Sequence, residues 1–235
     1  MKAFLLAAGL GTRLRPITNE IPKCMVPVQG KPMLGWWMDL FEKHGVTEAL
    51  INTHYLPDSV RQFIKNYNDS DKSAKIIESY EPKLLGSGGT IRDNCNFVKN
   101  EEDFLVCYAD NLTNANLSEL MKFHKNKKCV LTMGLFETNN PKGCGIASQD
   151  VDGLITEFIE KPEHPKSDLA NAGIYAVNKA IWDYIPTGDN GEIDFGKDVL
   201  PLLVGKMYGY KIQEYLLDIG TMDNYKKAQV EWESI

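Results

Sequence analysis

The chain has 235 residues, 43% of them hydrophobic and 25% charged, with a formal net charge of -6. That is length enough for a substantial core, and the acidic balance argues against a nucleic-acid partner, which requires a basic face. No stretch is long and apolar enough to span a bilayer, and the apolar run at residues 3–8 is too short for a secretory signal, so neither membrane nor export is expected.

In chain order, residues 3–8 form an apolar run bounded by glycine, the pattern of a strand buried on both faces. Pro32 opens a helix in which Met33, Trp37, Leu40 and Phe41 recur at helical spacing, and Gly45 suits its end. A strand at 49–53 follows. Asp58 is expected to cap a helix whose Val60, Phe63, Ile64 and Tyr67 make one apolar stripe. Strands are expected at 76–80 and 104–109. This alternation predicts an α/β fold with a mostly parallel central sheet and helices on both faces. Ligands of such sheets sit where the strands' carboxyl ends meet loops.

The second half reads differently. Strands are expected at 130–136, 145–148, 154–160 and 172–177, with Asp152-Gly153 as a hairpin signal. A short helix near 181–184, an apolar stretch at 199–204, one strand through "YKIQEYLLDIGT" and a closing helix at 222–232 complete the chain. No Pro/Gly/Ser-rich linker divides it, which predicts a single domain with a smaller mixed-sheet part. The cysteines (Cys24, Cys95, Cys107, Cys129 and Cys144) are odd in number, scattered and without a CxxC pair. They read as reduced thiols in a cytoplasmic protein.

The first strand runs into "AAGLGTRLRPIT", and a lysine follows in "IPKCMVP". Gly9 and Gly11 begin a G-x-G, but Leu14 stands where a dinucleotide fingerprint needs glycine, and no Walker Gly-Lys-Ser/Thr is present. Glycines of this kind still let backbone amides approach phosphate closely. Together with "LLGSGGT", "YADNL", "FIEKP", "NAGIY" and "LLDIGT" in that order, the segment resembles the signature of the sugar-1-phosphate nucleotidyltransferases (nucleotide-sugar pyrophosphorylases). The motifs span nearly the whole chain.

The resemblance implies a Rossmann-like fold of the nucleotide-diphospho-sugar transferase type. Residues 1–112 would be a nucleotide-binding half and 113–235 a sugar-binding half. A sugar 1-phosphate would attack the α-phosphorus of a nucleoside triphosphate, releasing pyrophosphate. It also implies roles. Leu6, Ala7, Ala8, Gly9, Gly11 and Thr12 would surround the nucleotide. Arg13 would grip the leaving phosphates and Lys23 the α-phosphate. Leu85, Gly88 and Gly89 would wall the base pocket. Asp110 and Asp218 would hold Mg²⁺, and Gly145, Glu160, Lys161 and Asn171 would hold the sugar and its phosphate. Arg15 reads as structural or a rim contact, and Cys24 as a small buried apolar residue.

No cation adjoins Asp110 or Asp218 in sequence, so the two carboxylates, once together, are expected to need a metal ion between them. "LLGSGGT" is similar to the "LGTAG" of guanylyltransferases acting on mannose- or heptose-1-phosphate, departing from it at Ser87 and Gly89. GTP is the expected nucleotide. Cytidylyl- or uridylyl transfer to another phosphorylated small molecule, or a non-catalytic sensor of the same fold, are the alternatives. The chain as given ends soon after "DIGT", which implies one activity and no C-terminal extension. Trp36 and Trp37 suit either a core or a homodimer interface.

Overall fold

The structure is a computed structural model that describes residues 1–187 and 191–234. Its fold is mixed α/β with a large central sheet, the expected class. Two compact units make it up. The first comprises Met1–Leu84, Cys107–Ala115 and the chain from Glu214 onward; the second comprises Leu85–Val106 and Asn116–Gln213. The division therefore does not follow a cut at residue 112, because the C-terminal segment belongs with the N-terminal one.

In the first unit Lys2–Leu6, Glu48–Thr53 and Lys75–Tyr80 run parallel. Ala3, Phe4, Leu5, Ala49 and Ile51 are fully buried, as a strand covered on both faces requires. The first strand stops at Leu6, leaving Ala7 and Ala8 in the loop. Helix Met33–Lys43 buries the expected stripe and ends at Gly45, whose φ of 72° lets Val46 N–H reach back to the Phe41 carbonyl. Trp37 is core, and Trp36 packs edge-on against Trp232 with its indole N–H on the Val28 carbonyl, so both tryptophans are used within the chain. The cap expected of Asp58 is not made. Pro57 opens helix Pro57–Asn68, which places Asp58 inside the first turn with its carboxylate toward Arg61 at 3.4 Å.

The stretch "YKIQEYLLDIGT" is two strands rather than one. Met207–Lys211 pairs parallel with Leu131–Glu137 in the second unit. Leu216–Asp218 pairs antiparallel with Asn111–Thr113 in the first. Apolar alternation alone cannot register this break, since both pieces carry the same β pattern.

The second unit is mainly antiparallel. Leu169–Asn178 pairs with Leu131–Glu137 and Ile155–Glu160 with Gly145–Gln149, the latter through the Asp152-Gly153 turn. Two further helices are Gly86–Asp93, opened by the glycines of "LLGSGGT", and Leu117–Lys127, to which the sequence reading assigns none. The second carries a plain signal: Asn116 caps it by accepting the Glu119 N–H, and Leu117, Leu120 and Met121 are buried at helical spacing.

Candidate active site

Four of the expected charged residues converge within the first unit, and each is placed by an apolar neighbour in one buried cluster. Leu14 follows Arg13, Val26 lies just beyond Lys23, Leu112 beyond Asp110, and Ile219 follows Asp218; all four apolar residues pack together with Val28, Met33 and Ala228. The charged side chains point away from that anchor. The register of the short sheet, Asp218 opposite Asn111, sets Asp218 beside Asp110, and the Ile219 N–H donates to the Asp110 carbonyl at 2.9 Å.

Lys23 lies between the two carboxylates. Its Nζ donates to Asp110 Oδ2 at 2.7 Å and to Asp218 Oδ1 at 3.2 Å, and only 9% of the residue is exposed. An Arg13 guanidinium nitrogen stands 3.8 Å from Asp218 Oδ2, with the arginine largely exposed. The expectation that the aspartates would lack a protein cation is thus corrected: a residue 87 positions before Asp110 in the chain supplies it. Burial by itself would lower the Lys23 pKa, but the charges of Asp110 and Asp218 and hydrogen bonds to both leave it raised. Burial, and then the Asp110 charge, push the Asp218 pKa up against the opposing pull of Lys23 and Arg13.

Glycines make room for this cluster. Gly11 has φ 62°, and a Cβ there would lie 2.9 Å from Thr18 Cγ2 and 3.2 Å from Lys23 Cβ. The Thr18 hydroxyl donates to the Gly11 carbonyl at 2.7 Å, so the loop closes over the stem of Lys23. A Cβ at Gly220 would fall 2.7 Å from Asp218 Oδ2 and 2.9 Å from an Arg13 nitrogen. Thr12 and Arg13 form a short 3₁₀ turn after Gly11, while Gly9 is exposed with open space at its Cβ position. Cys24 is buried and its thiol pKa is pushed up to about 12 by that burial, in keeping with a small apolar role.

Two residues of this site escaped the sequence reading. Asn52 Oδ1 accepts the Ala7 N–H at 2.6 Å, and Asn52 Nδ2 donates to Glu81 Oε1 at 2.9 Å. Both side chains are buried, so the glycine loop's first amide is tied to an interior polar chain. The available signal was a lone asparagine in the apolar strand "ALINT".

The expected sugar-side residues gather in the second unit. Glu160 stands opposite Gly145 in the strand pair, and its Oε2 is 2.6 Å from where a Gly145 Cβ would lie and 3.6 Å from that of Gly196. Burial raises the Glu160 pKa; Lys161 pulls it back, and Asp194 pushes it further up. Lys161 has φ 50°, a left-handed conformation uncommon for a side-chain-bearing residue, and its largely exposed Nζ is 3.8 Å from Glu160 Oε1. Asn171 uses both ends of its amide inside a bulge, accepting from the Gly173 N–H at 3.0 Å and donating to Tyr175 Oη at 2.6 Å.

Gly88 and Gly89 have a local reason to be glycine. Both amides donate to the Ile193 carbonyl, and a Gly88 Cβ would meet Ile193 Cγ2 at 2.7 Å. The close approach that Gly88 permits in this structure is that of Ile193. Leu85 accepts the Ile193 N–H, and Ser87 Oγ accepts the Phe195 N–H at 2.8 Å. The segment around Asp194, which also caps the turn Phe195–Val199, was not singled out in the sequence.

Two hard carboxylates drawn to one point by an ammonium are suitable donors for a divalent ion such as Mg²⁺. Among the described residues no group of three or more His, Cys, Asp or Glu converges, so the protein itself would offer that ion two side chains. Two cations set against two carboxylates beside a glycine loop thus form the charged centre of the first unit of this mixed α/β fold. The chain belongs to the nucleotidyl transferase family, whose sequence profile matches residues 2–234.

The chain is 30% identical to the mannose-1-phosphate guanylyltransferase of Mycobacterium tuberculosis, over 97% of this chain and 64% of that protein. It is 32% identical to the UTP--glucose-1-phosphate uridylyltransferase of a Synechocystis species, over 97% and 62%. It thus spans just under two-thirds of the length of these relatives. It is 31% identical to the D-glycero-alpha-D-manno-heptose 1-phosphate guanylyltransferase of Aneurinibacillus thermoaerophilus, over 98% of both chains. Among solved structures, HddC from Yersinia pseudotuberculosis matches with a TM-score of 0.82 and 26% identity, over 98% of this chain and 99% of that one; it has also been crystallised with GMP-PN.

Proposed function

We propose that the chain transfers a nucleotidyl group from a nucleoside triphosphate, preferentially GTP, to a sugar 1-phosphate of the mannose or manno-heptose type, releasing pyrophosphate. The observation that carries this reading is the convergence of Arg13, Lys23, Asp110 and Asp218 beside the glycine loop. Nucleotidyl transfer needs no protein nucleophile; it needs alignment and neutralisation of charge at the reacting phosphorus. Arg13, exposed and planar, suits a bidentate hold on the departing phosphates, while Lys23 supplies a compact charge to the α-phosphate. Asp110 and Asp218 would bind Mg²⁺, which supplies Lewis-acid stabilisation of phosphate charge when bound. Lys161 would hold the sugar phosphate and Glu160 a sugar hydroxyl.

Similarity across the full length of the manno-heptose 1-phosphate guanylyltransferase supports guanylyl transfer. The uridylyltransferase relative favours UTP and glucose 1-phosphate as the second reading. Pyrophosphate release measured with GTP, UTP, CTP and dTTP against mannose, manno-heptose and glucose 1-phosphates separates them. A preference of about tenfold or more in kcat/KM for a base other than guanine would overturn the guanylyl assignment. Tight nucleotide binding with no pyrophosphate from any pair would instead leave a non-catalytic sensor.

A further inference from the structure

Lys23 makes its two shortest polar contacts to the very carboxylates that would hold the metal ion. An ammonium with Nζ 2.7 Å from Asp110 Oδ2 and 3.2 Å from Asp218 Oδ1 occupies the space between them. A hard divalent ion takes carboxylate oxygens at about 2.0–2.1 Å, which leaves no room for the ammonium in the same sector. We propose that Lys23 is the resident counter-cation of the Asp110–Asp218 pair, and that it gives up these carboxylates when a divalent ion binds. Its ammonium then becomes available to the nucleotide. The proposal takes its metal and its phosphate from the nucleotidyl-transfer reading.

The local build allows such an exchange. The stem of Lys23 is fixed, since Gly11 and Thr18 close over its Cβ. The four-carbon chain beyond Cβ still has rotamers through which the charged end can move. The backbone around both aspartates is pinned by the Ile219 N–H on the Asp110 carbonyl and by Asn224 Nδ2 on the Asp218 carbonyl, so the carboxylates stay in place as the ammonium leaves. While Lys23 is engaged it offsets one of the pair's two charges, with Arg13 3.8 Å from Asp218, so a bare divalent ion gains less by entering than it would at an uncompensated pair. A polyphosphate offers the ammonium a second partner and lowers the cost of releasing it. Metal and nucleotide are then coupled through one lysine, and the coupling is reciprocal.

The test uses the full chain without nucleotide and Mn²⁺ as the probe, with free Mn²⁺ read by electron paramagnetic resonance. Lys23→Met keeps length and removes charge, so it should bind Mn²⁺ at least about tenfold more tightly than wild type. Lys23→Arg, which keeps a cation there, should bind like wild type. Mn²⁺ affinity in Lys23→Met that is equal to wild type, weaker or absent overturns the proposal. A second readout needs no variant. Trace acetylation of wild type followed by mass spectrometry should find Lys23 protected without metal and labelled faster at Mn²⁺ concentrations that the resonance titration shows to saturate the site; labelling unchanged at saturation also overturns it. Wild type that releases no pyrophosphate would defeat the functional reading while leaving both readouts able to decide this one.

Discussion

The two charged regions solve opposite problems. In the first unit Lys23 is buried and held by two short bonds, so its charge is already spent on Asp110 and Asp218. In the second unit Lys161 is largely exposed, 3.8 Å from a single carboxylate, on a left-handed backbone that turns it outward. A buried, matched cluster must change partners in order to act. An exposed lysine can accept an anion without breaking a strong bond, because a loose solvent-facing ion pair contributes little. On the proposed function the first region would work by exchange and the second by capture.

The largest expected effect tests the exchange region. Asp110→Asn and Asp218→Asn should each lower turnover on the order of 10²–10³-fold in a pyrophosphate-release assay, with circular dichroism showing the fold retained. Lys23 bonds both carboxylates, so removing either one leaves the lysine with one partner fewer. The melting temperature without metal should therefore fall in Asp110→Asn, which loses the 2.7 Å bond. It should fall less or not at all in Asp218→Asn, since burial and the Asp110 charge already raise the Asp218 pKa. A rise in Asp110→Asn would mean that repulsion between the carboxylates dominates after all.

Capture is tested next. Lys161→Ala should raise the KM for sugar 1-phosphate about ten- to hundredfold while nucleotide binding to the free protein, followed by calorimetry, stays near wild type. Equal loss for both substrates would erase the contrast between the regions.

Gly145→Ala reaches the same region sterically. The added methyl would fall 2.6 Å from Glu160 Oε2, so the carboxylate or the strand must shift. A cost of about 1–3 kcal/mol is expected in a denaturant titration, since overpacking forces such shifts. An unchanged midpoint would show that Glu160 moves aside without penalty.

The smallest effect concerns pH. Burial, opposed by Lys161 and reinforced by Asp194, raises the Glu160 pKa. A carboxyl raised in the folded state binds its proton more tightly there than in the unfolded chain. Its contribution to stability is complete below the ordinary glutamate value and is lost as pH rises through the raised one. Glu160→Gln should therefore show a shallower loss of melting temperature from acid to neutral pH. A slope equal to wild type would remove this account of Glu160.

How much of this was legible in the chain depends on the range of the interaction. Strand and helix identities in the first unit follow from local apolar spacing, and the glycine loop with Arg13, Lys23, Asp110 and Asp218 stood out through motif resemblance. The helix Leu117–Lys127 carries a cap at Asn116 that is itself a local signal. Other features were out of reach of any local pattern. Gly88 reads in sequence as a ligand contact, and that Ile193 packs against it is shown only by the fold. Asn52 is only a polar residue in a strand until Ala7 and Glu81 meet it.

By itself the sequence determined the α/β class, the strand-end positions of both aspartates and the glycine at 11 that lets the loop turn. Those depend on side-chain period, turn chemistry and backbone freedom, all set within a few residues. Only the tertiary structure decided that Lys23 reaches Asp110 and Asp218 across 87 and 195 positions. It also decided that the chain breaks after Met207–Lys211 and resumes as Leu216–Asp218 in the other unit. Those outcomes depend on which apolar faces bury one another, and a pairing of that kind has no local signature because its partners lie far apart in the chain.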